Sequence, residues 1–301
     1  MGESGGETGL SVSEGVLLGH ALVARVAEDL GVRVFFIKGP ASVLLGLRKP
    51  KISNDVDVFV APADLQLLLD GLRERGWRDR PVDPDSRAFP KHSVTVDHPD
   101  WPCCVDVHYR FPGMEKDAGE CFELMWVHTQ ALSLTGQQVR VPTKALGIVI
   151  LVLHALRAPH LAESRRELDY ITAMVQQEQL ESEVLDLSTR AGALAAMRPY
   201  LESVVPGEEA PVWPAPSTEW RNRVLAREPG SARLLALAQA PWPAKPGMLW
   251  RSVAPKSETF LGGDIYADVS FPGRLGLHRA RWSRFLKALP QIIRDFSHYR
   301  A

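Results

Sequence analysis

Asp55 and Asp57 stand two residues apart in Asn54-Asp55-Val56-Asp57-Val58-Phe59-Val60, an otherwise apolar and largely β-branched run. Side-chain direction in a strand repeats every second residue, so both carboxylates leave one face of one strand. Two like charges a few ångströms apart on a half-buried face are costly unless a cation sits between them. The pair therefore suits a divalent ion with a preference for oxygen, Mg²⁺ first and Mn²⁺ second. A third acid, Asp106, lies in Cys104-Val105-Asp106-Val107-His108, where the same period puts Asp106 and His108 on one face. Asp97 competes for the third place, and the valines that flank Asp106 favour it as a central-strand residue.

Three carboxylates on neighbouring strands can hold two Mg²⁺ ions, neutralise a triphosphate for in-line attack, and let one carboxylate help deprotonate an acceptor hydroxyl. Upstream, Phe36-Ile37-Lys38-Gly39-Pro40 ends an apolar run in a lysine and a glycine. The Gly39 backbone can approach a ligand closely there, and Lys38 can bring positive charge to β- and γ-phosphates. His108 is expected to orient a neighbouring carboxylate rather than bind Mg²⁺. Cys103, Cys104, His92 and His98 lack the spaced pairs of a zinc site. His154, on an apolar helix face, reads as a satisfied core histidine.

The elements that must position these groups follow from periodicity. Residues 12–30 carry apolar positions at helical spacing and end at Gly31, residues 32–37 read as a short buried strand, and 41–47 as a short helix. Residues 55–60 are a strand stopped by Pro62, and 64–75 an amphipathic helix ended by Gly76. Residues 77–82, 93–96 and 103–109 read as further strands of a mixed sheet, and 138–141 as its last. After Pro142 helical periodicity takes over at 144–156, 163–174, 180–197 and 275–299, with irregular connections at 202–220 and 241–246. The division expected is a flexible tail over 1–10, a core over 11–142 and a mainly helical domain over 143–301.

The 301 residues are 45% hydrophobic, enough to bury a sizeable core, and carry a formal net charge of −1. There is no bulk basic field to capture nucleic acid. The basic, aromatic final helix reads equally well as a solvated face over buried aromatics, so nucleic acid is not favoured as a partner. Three cysteines make no disulfide framework, no signal peptide is evident, and the longest apolar stretch is too short to span a bilayer. A cytoplasmic protein without membrane contact is expected.

With these motifs in this order, the chain resembles the nucleotidyltransferase superfamily that includes DNA polymerase β. It is more closely similar to a bacterial branch described as uncharacterised nucleotidyltransferases. That branch shows Lys-Gly after a strand, a basic residue before Asp-hydrophobic-Asp, and a later acidic-hydrophobic-His strand. The matching residues are Lys38 and Gly39, Lys51, Asp55 with Asp57, and Asp106 with His108. His154 and the Arg165 to Asp169 segment look like the downstream elements of the branch. The resemblance implies an α/β (α+β) fold, a small mixed-sheet core with an appended C-terminal helical domain. It implies transfer of a nucleoside monophosphate from an NTP, ATP foremost, with release of pyrophosphate. Asp55, Asp57 and Asp106 would be catalytic and metal-binding, and Lys38, Gly39, Lys51, Ser53 and His108 nucleotide-binding. The acceptor stays open among a small metabolite, a peptide, a protein side chain and an RNA end. Two other readings are a noncatalytic nucleotide-binding or interaction protein and a toxin-like enzyme that modifies a protein or tRNA.

Overall fold

A computed structural model describes residues 9–81, 89–205, 207, 211–253, 255, 259–260 and 270–299. Most of the tail expected over 1–10, Val82 of the expected 77–82 strand, and Arg300 of the basic helix lie outside the described residues. The first helix, α1, spans Val12–Leu30. Its start is fixed by Ser11, whose side chain accepts from Glu14 N–H while the Glu14 carboxylate accepts from the Ser11 backbone N–H, a reciprocal capping box. Then follow β1 (Val34–Phe36), α2 (Gly39–Leu44), β2 (Asp55–Val60), α3 (Leu65–Arg73), β3 (Arg78–Asp79), β4 (Ser93–Asp97) and β5 (Cys104–His108).

These strands form one mixed sheet in the order β1-β2-β5-β4-β3. Strands β2 and β5 run parallel with Asp57 opposite Asp106, and the other pairings are antiparallel. Alternation along β2 and β5 sorts their residues to two faces. Val56, Val58, Val60, Val105 and Val107 go to a core with Val16, Val23 and Val26 of α1 and Leu68, Leu69 and Leu72 of α3. The opposite face sends Phe59, with Phe35 and Ile37, into a second core shared with the helices that follow.

Residues 138–141 do not extend this sheet. After α4 (Ala118–Val127), β6 (Thr129–Leu134) and β7 (Gln137–Pro142) close a separate two-stranded hairpin. Helix α5 (Lys144–Leu156) is buried nearly all round, with only Lys144 and His154 partly reaching the surface, as a central helix requires. It packs among α6 (Ala162–Glu178), α7 (Glu181–Arg190) and α8 (Leu194–Val204). The single helix expected over 180–197 is two, because Gly192 reverses the chain: its φ of 68° lies in the left-handed region that favours glycine. Helices α9 (Thr218–Leu225), α10 (Pro229–Gln239), α11 (Lys245–Val253) and α12 (Phe271–Tyr299) complete the described chain. Buried Asp295 ties α12 to α10 by accepting from Ser231 Oγ at 2.6 Å. Among the described residues no helix is long and apolar enough to cross a membrane.

Candidate active site

Three side chains converge where β2 and β5 lie in register. His108 Nε2 is 2.8 Å from Asp57 Oδ1 and 3.1 Å from Asp106 Oδ2, so it bridges the two carboxylates. Lys38 Nζ donates to the same Asp57 Oδ1 at 2.8 Å, and both residues are nearly closed off from solvent. Thr95, opposite Asp106 on β4, donates its Oγ1 proton to Asp106 Oδ1 at 3.0 Å. Phe59 stacks beneath the imidazole of His108 with ring centres 6.4 Å apart, so the aromatic core positions the base of the site.

The electrostatics follow from this geometry. Burial pushes the Asp57 carboxyl up, but the hydrogen bond from His108 and the charge of Lys38 outweigh it and hold the group well below the usual carboxylate range. Burial likewise raises Asp106, and the bond to His108 reverses this and sets it at about 2. Burial lowers His108, yet bonds to Asp106 and Asp57 prevail and raise it, so the imidazole is favoured as a cation. Asp55 is different. Its carboxyl is raised, first by burial and then by the charge of Asp57, against the weaker opposing charge of Lys38. Ser53, two residues before it, donates its Oγ proton to Asp55 Oδ1 at 3.3 Å.

Asp57, Asp106 and His108 each present a possible ligand atom, all within 4.8 Å of one another, and they are the group of this kind among the described residues. The donors are mainly carboxylate oxygens, a set that fits a hard divalent cation; Asp55 is not among the three, and its charge is disfavoured on balance by burial and by Asp57. Asp55→Asn is accordingly expected to raise stability in metal-free buffer at neutral pH, because it removes a charge that folding disfavours. Urea unfolding in the presence of a chelator measures this, and a lowered midpoint would contradict the repulsion inferred here.

Lys38 has φ 58° and ψ −146°, left-handed backbone that a non-glycine residue adopts at a cost of about 1–3 kcal/mol. Gly39 follows at φ 48°, where glycine relieves the same constraint. The corner leads into α2 and aims the lysine at Asp57. Beside it, an apolar groove of about 490 Å³ runs between α1 and α2, edged by Lys51, Ile52 and Ser53. Lys51 does not join the network around Asp57: its ammonium pairs with Glu163 of α6 and is largely exposed. Arg48 pairs with Glu167, so α6 is held against the segment between α2 and β2.

Of the other polar residues weighed from the sequence, Asp97 is occupied by Arg80 at 2.6 and 2.8 Å, and Asp106 takes the place beside Asp57. The three cysteines are free, and burial raises the thiols of Cys103 and Cys104 to about 12 and about 11. His154 is not a satisfied core histidine, since its buried Nδ1 has no partner. The sequence assigns His20 no role at the site, and offers His92 only as part of a rejected zinc set. His20 donates from Nδ1 to Val16 O at 2.7 Å, which leaves a buried, partnerless Nε2 near Gly39. Its signal is its place at i+4 from Val16 and three before Val23, on the buried stripe of α1. His92 lies with its ring 5.7 Å from that of His108, and no spacing rule connects a loop residue to that strand.

The fold and site thus define a class: a mixed five-stranded sheet that displays in-register acids beside a lysine corner, backed by helices. No protein-family model matches the chain, and no curated protein matches it. Among solved structures it is similar to an antigenic nucleotidyltransferase-like protein from Paracoccidioides brasiliensis, at 14% identity and TM-score 0.40 over 64% of this chain and 93% of that one. It is similar to the antibiotic-resistance factor ANT(2'')-Ia at 13% identity and TM-score 0.40, over 64% of this chain and 100% of that one. A third likeness is to the lincosamide antibiotic adenylyltransferase LnuA, at 11% identity and TM-score 0.31 over 44% and 82%.

Proposed function

We propose that the protein is a nucleotidyltransferase that moves a nucleoside monophosphate from an NTP, ATP foremost, to an acceptor hydroxyl. The observation that carries this reading is the register of Asp57 with Asp106 beside the Lys38–Gly39 corner. Lys38, the Gly39 backbone and Ser53 hold the triphosphate, and the apolar groove next to them receives the base. Asp55, Asp57 and Asp106 hold Mg²⁺ or Mn²⁺, which when bound neutralises the phosphates and polarises the α-phosphorus. Asp106, ionised at neutral pH, accepts the proton of the acceptor hydroxyl. The hydroxyl oxygen forms a bond to the α-phosphorus, the bond to the β-phosphate oxygen breaks, and pyrophosphate leaves. His108 holds Asp57 and Asp106 in place and limits their mutual repulsion. Lys51 stays outside this set because Glu163 engages it.

One observation favours a noncatalytic nucleotide-binding protein instead: Lys38 and His108 already balance the charge of Asp57 without a metal. Incubation with each α-labelled NTP, Mg²⁺ or Mn²⁺, and cell extract separates the two readings. The transferase reading expects a labelled acceptor and release of pyrophosphate. Nucleotide binding with neither product across all four NTPs would leave the noncatalytic one.

A further inference from the structure

The roles assigned above leave a cluster of cations without a task. Arg157 follows α5, and its guanidinium lies over the Phe111 ring at 4.9 Å. Its Nε and Nη2 are shut off from solvent and have no hydrogen-bond partner. Arg223 of α9 is close enough for its charge to act on Arg157, and its own Nε is also buried without a partner. The acid between these helices and the sheet is already spent: Glu219 accepts from Arg110 at 2.9 and 3.2 Å and from Arg223 at 2.9 Å. Glu219 thus serves Arg110 and Arg223, whereas Arg157 is reached by Asp57, Asp106 and Glu219 only as nearby charges, and none of them bonds its Nε or Nη2. A buried guanidinium with idle N–H groups is unfavourable unless an anion meets it, and its planar fork fits phosphate and carboxylate oxygens.

The position of the cluster says which substrate it serves. His92 feels the charges of both Arg157 and Arg223, and its ring lies tilted beside that of His108, so the cluster adjoins the acids. In the sheet, Lys38 follows β1 and His92 precedes β4, whereas Asp57 and Asp106 lie between them on β2 and β5. The two positive regions therefore flank the acids from opposite sides. The Lys38 corner is the one assigned to the triphosphate. We propose that Arg157, with Arg223 and His92, forms a second oxyanion site that holds a phosphate or carboxylate group of the acceptor, an assignment that rests on the transferase reading for its acceptor.

Thermal unfolding of the full chain in inorganic phosphate against chloride, at equal ionic strength and without metal, tests the site. Phosphate should raise the unfolding temperature of the native protein, and Arg157→Met should lose that rise while unfolding no earlier than the native protein in chloride. Absence of the rise in the native protein, or an equal rise in Arg157→Met, overturns the proposal. Should Arg157→Met fail to fold, Arg223→Gln takes its place and must show a smaller rise. The phosphate response and its loss in Arg157→Met are read without any nucleotidyl transfer, so failure of the anion site is distinguishable from failure of the transferase reading. Repetition with a saturating non-hydrolysable ATP analogue and Mg²⁺ identifies the source of the anion. A persisting phosphate response is expected for an acceptor group, and its disappearance would give the site to the nucleotide and overturn the acceptor assignment.

Discussion

Asp57→Asn should lower nucleotidyl transfer by about 100-fold to 1,000-fold, the range seen when a preorganised electrostatic contact to the reacting groups is removed. Its Oδ1 receives Lys38 and His108 together, so the substitution removes the anion toward which both cations are aimed. Stability should fall as well. Lys38 and His108 would stay buried without their counterion, and removal of one partner from a buried ion pair costs about 3–5 kcal/mol. Labelled-NTP turnover and urea unfolding read the two effects separately. Transfer at the native rate would remove Asp57 from the mechanism.

His108→Leu should have the second largest effect, visible chiefly through pH. The carboxyl of Asp106 is held at about 2 against an ordinary 3.8, so it adds stability above the ordinary value that is lost as the pH falls toward 2. The His108 imidazole is raised above its ordinary 6.5, so its contribution is complete below that value and fades as the pH climbs through the raised one. The deficit of the variant relative to the native protein should therefore be largest between those windows, from about pH 4 to about pH 6.5, and shrink on either side. Without the imidazole, Asp57 and Asp106 would face each other across one rung, and the variant should unfold in acid at a higher pH. Urea midpoints across this range measure it. A deficit that does not vary with pH would mean that the His108 charge contributes nothing to holding the pair.

The alternating acids of β2 and the Lys38–Gly39 corner could be read directly, because a two-residue period and a glycine after an apolar run are local signals. The mixed sheet backed by helices was legible for the same reason. Residues 138–141 could be read as a strand, but β6 could not, since it does not alternate cleanly, and so the pairing of β7 into a separate hairpin was hidden. The break at Gly192 was hidden by apolar spacing that continues across it. Lys51 could be placed near the acids along the chain, but not turned toward Glu163, which lies 112 residues further on. Arg157, Arg223 and His92 come from a helix end, a second helix and a loop, and no residue spacing announces such a meeting. His20 could have been found as the polar interruption of a buried helical stripe.

The ladder that sets Asp57 against Asp106 also sets Val56 against Val105 and Val58 against Val107. Acid placement and valine burial therefore share a single phase. One residue inserted within Cys104–His108 would turn Asp106 and His108 inward and two valines outward, which inverts both functions at once. Changes of length can accumulate in the segment between β4 and β5 without that penalty, so natural variation in this chain should be confined to the joints and excluded from the rungs.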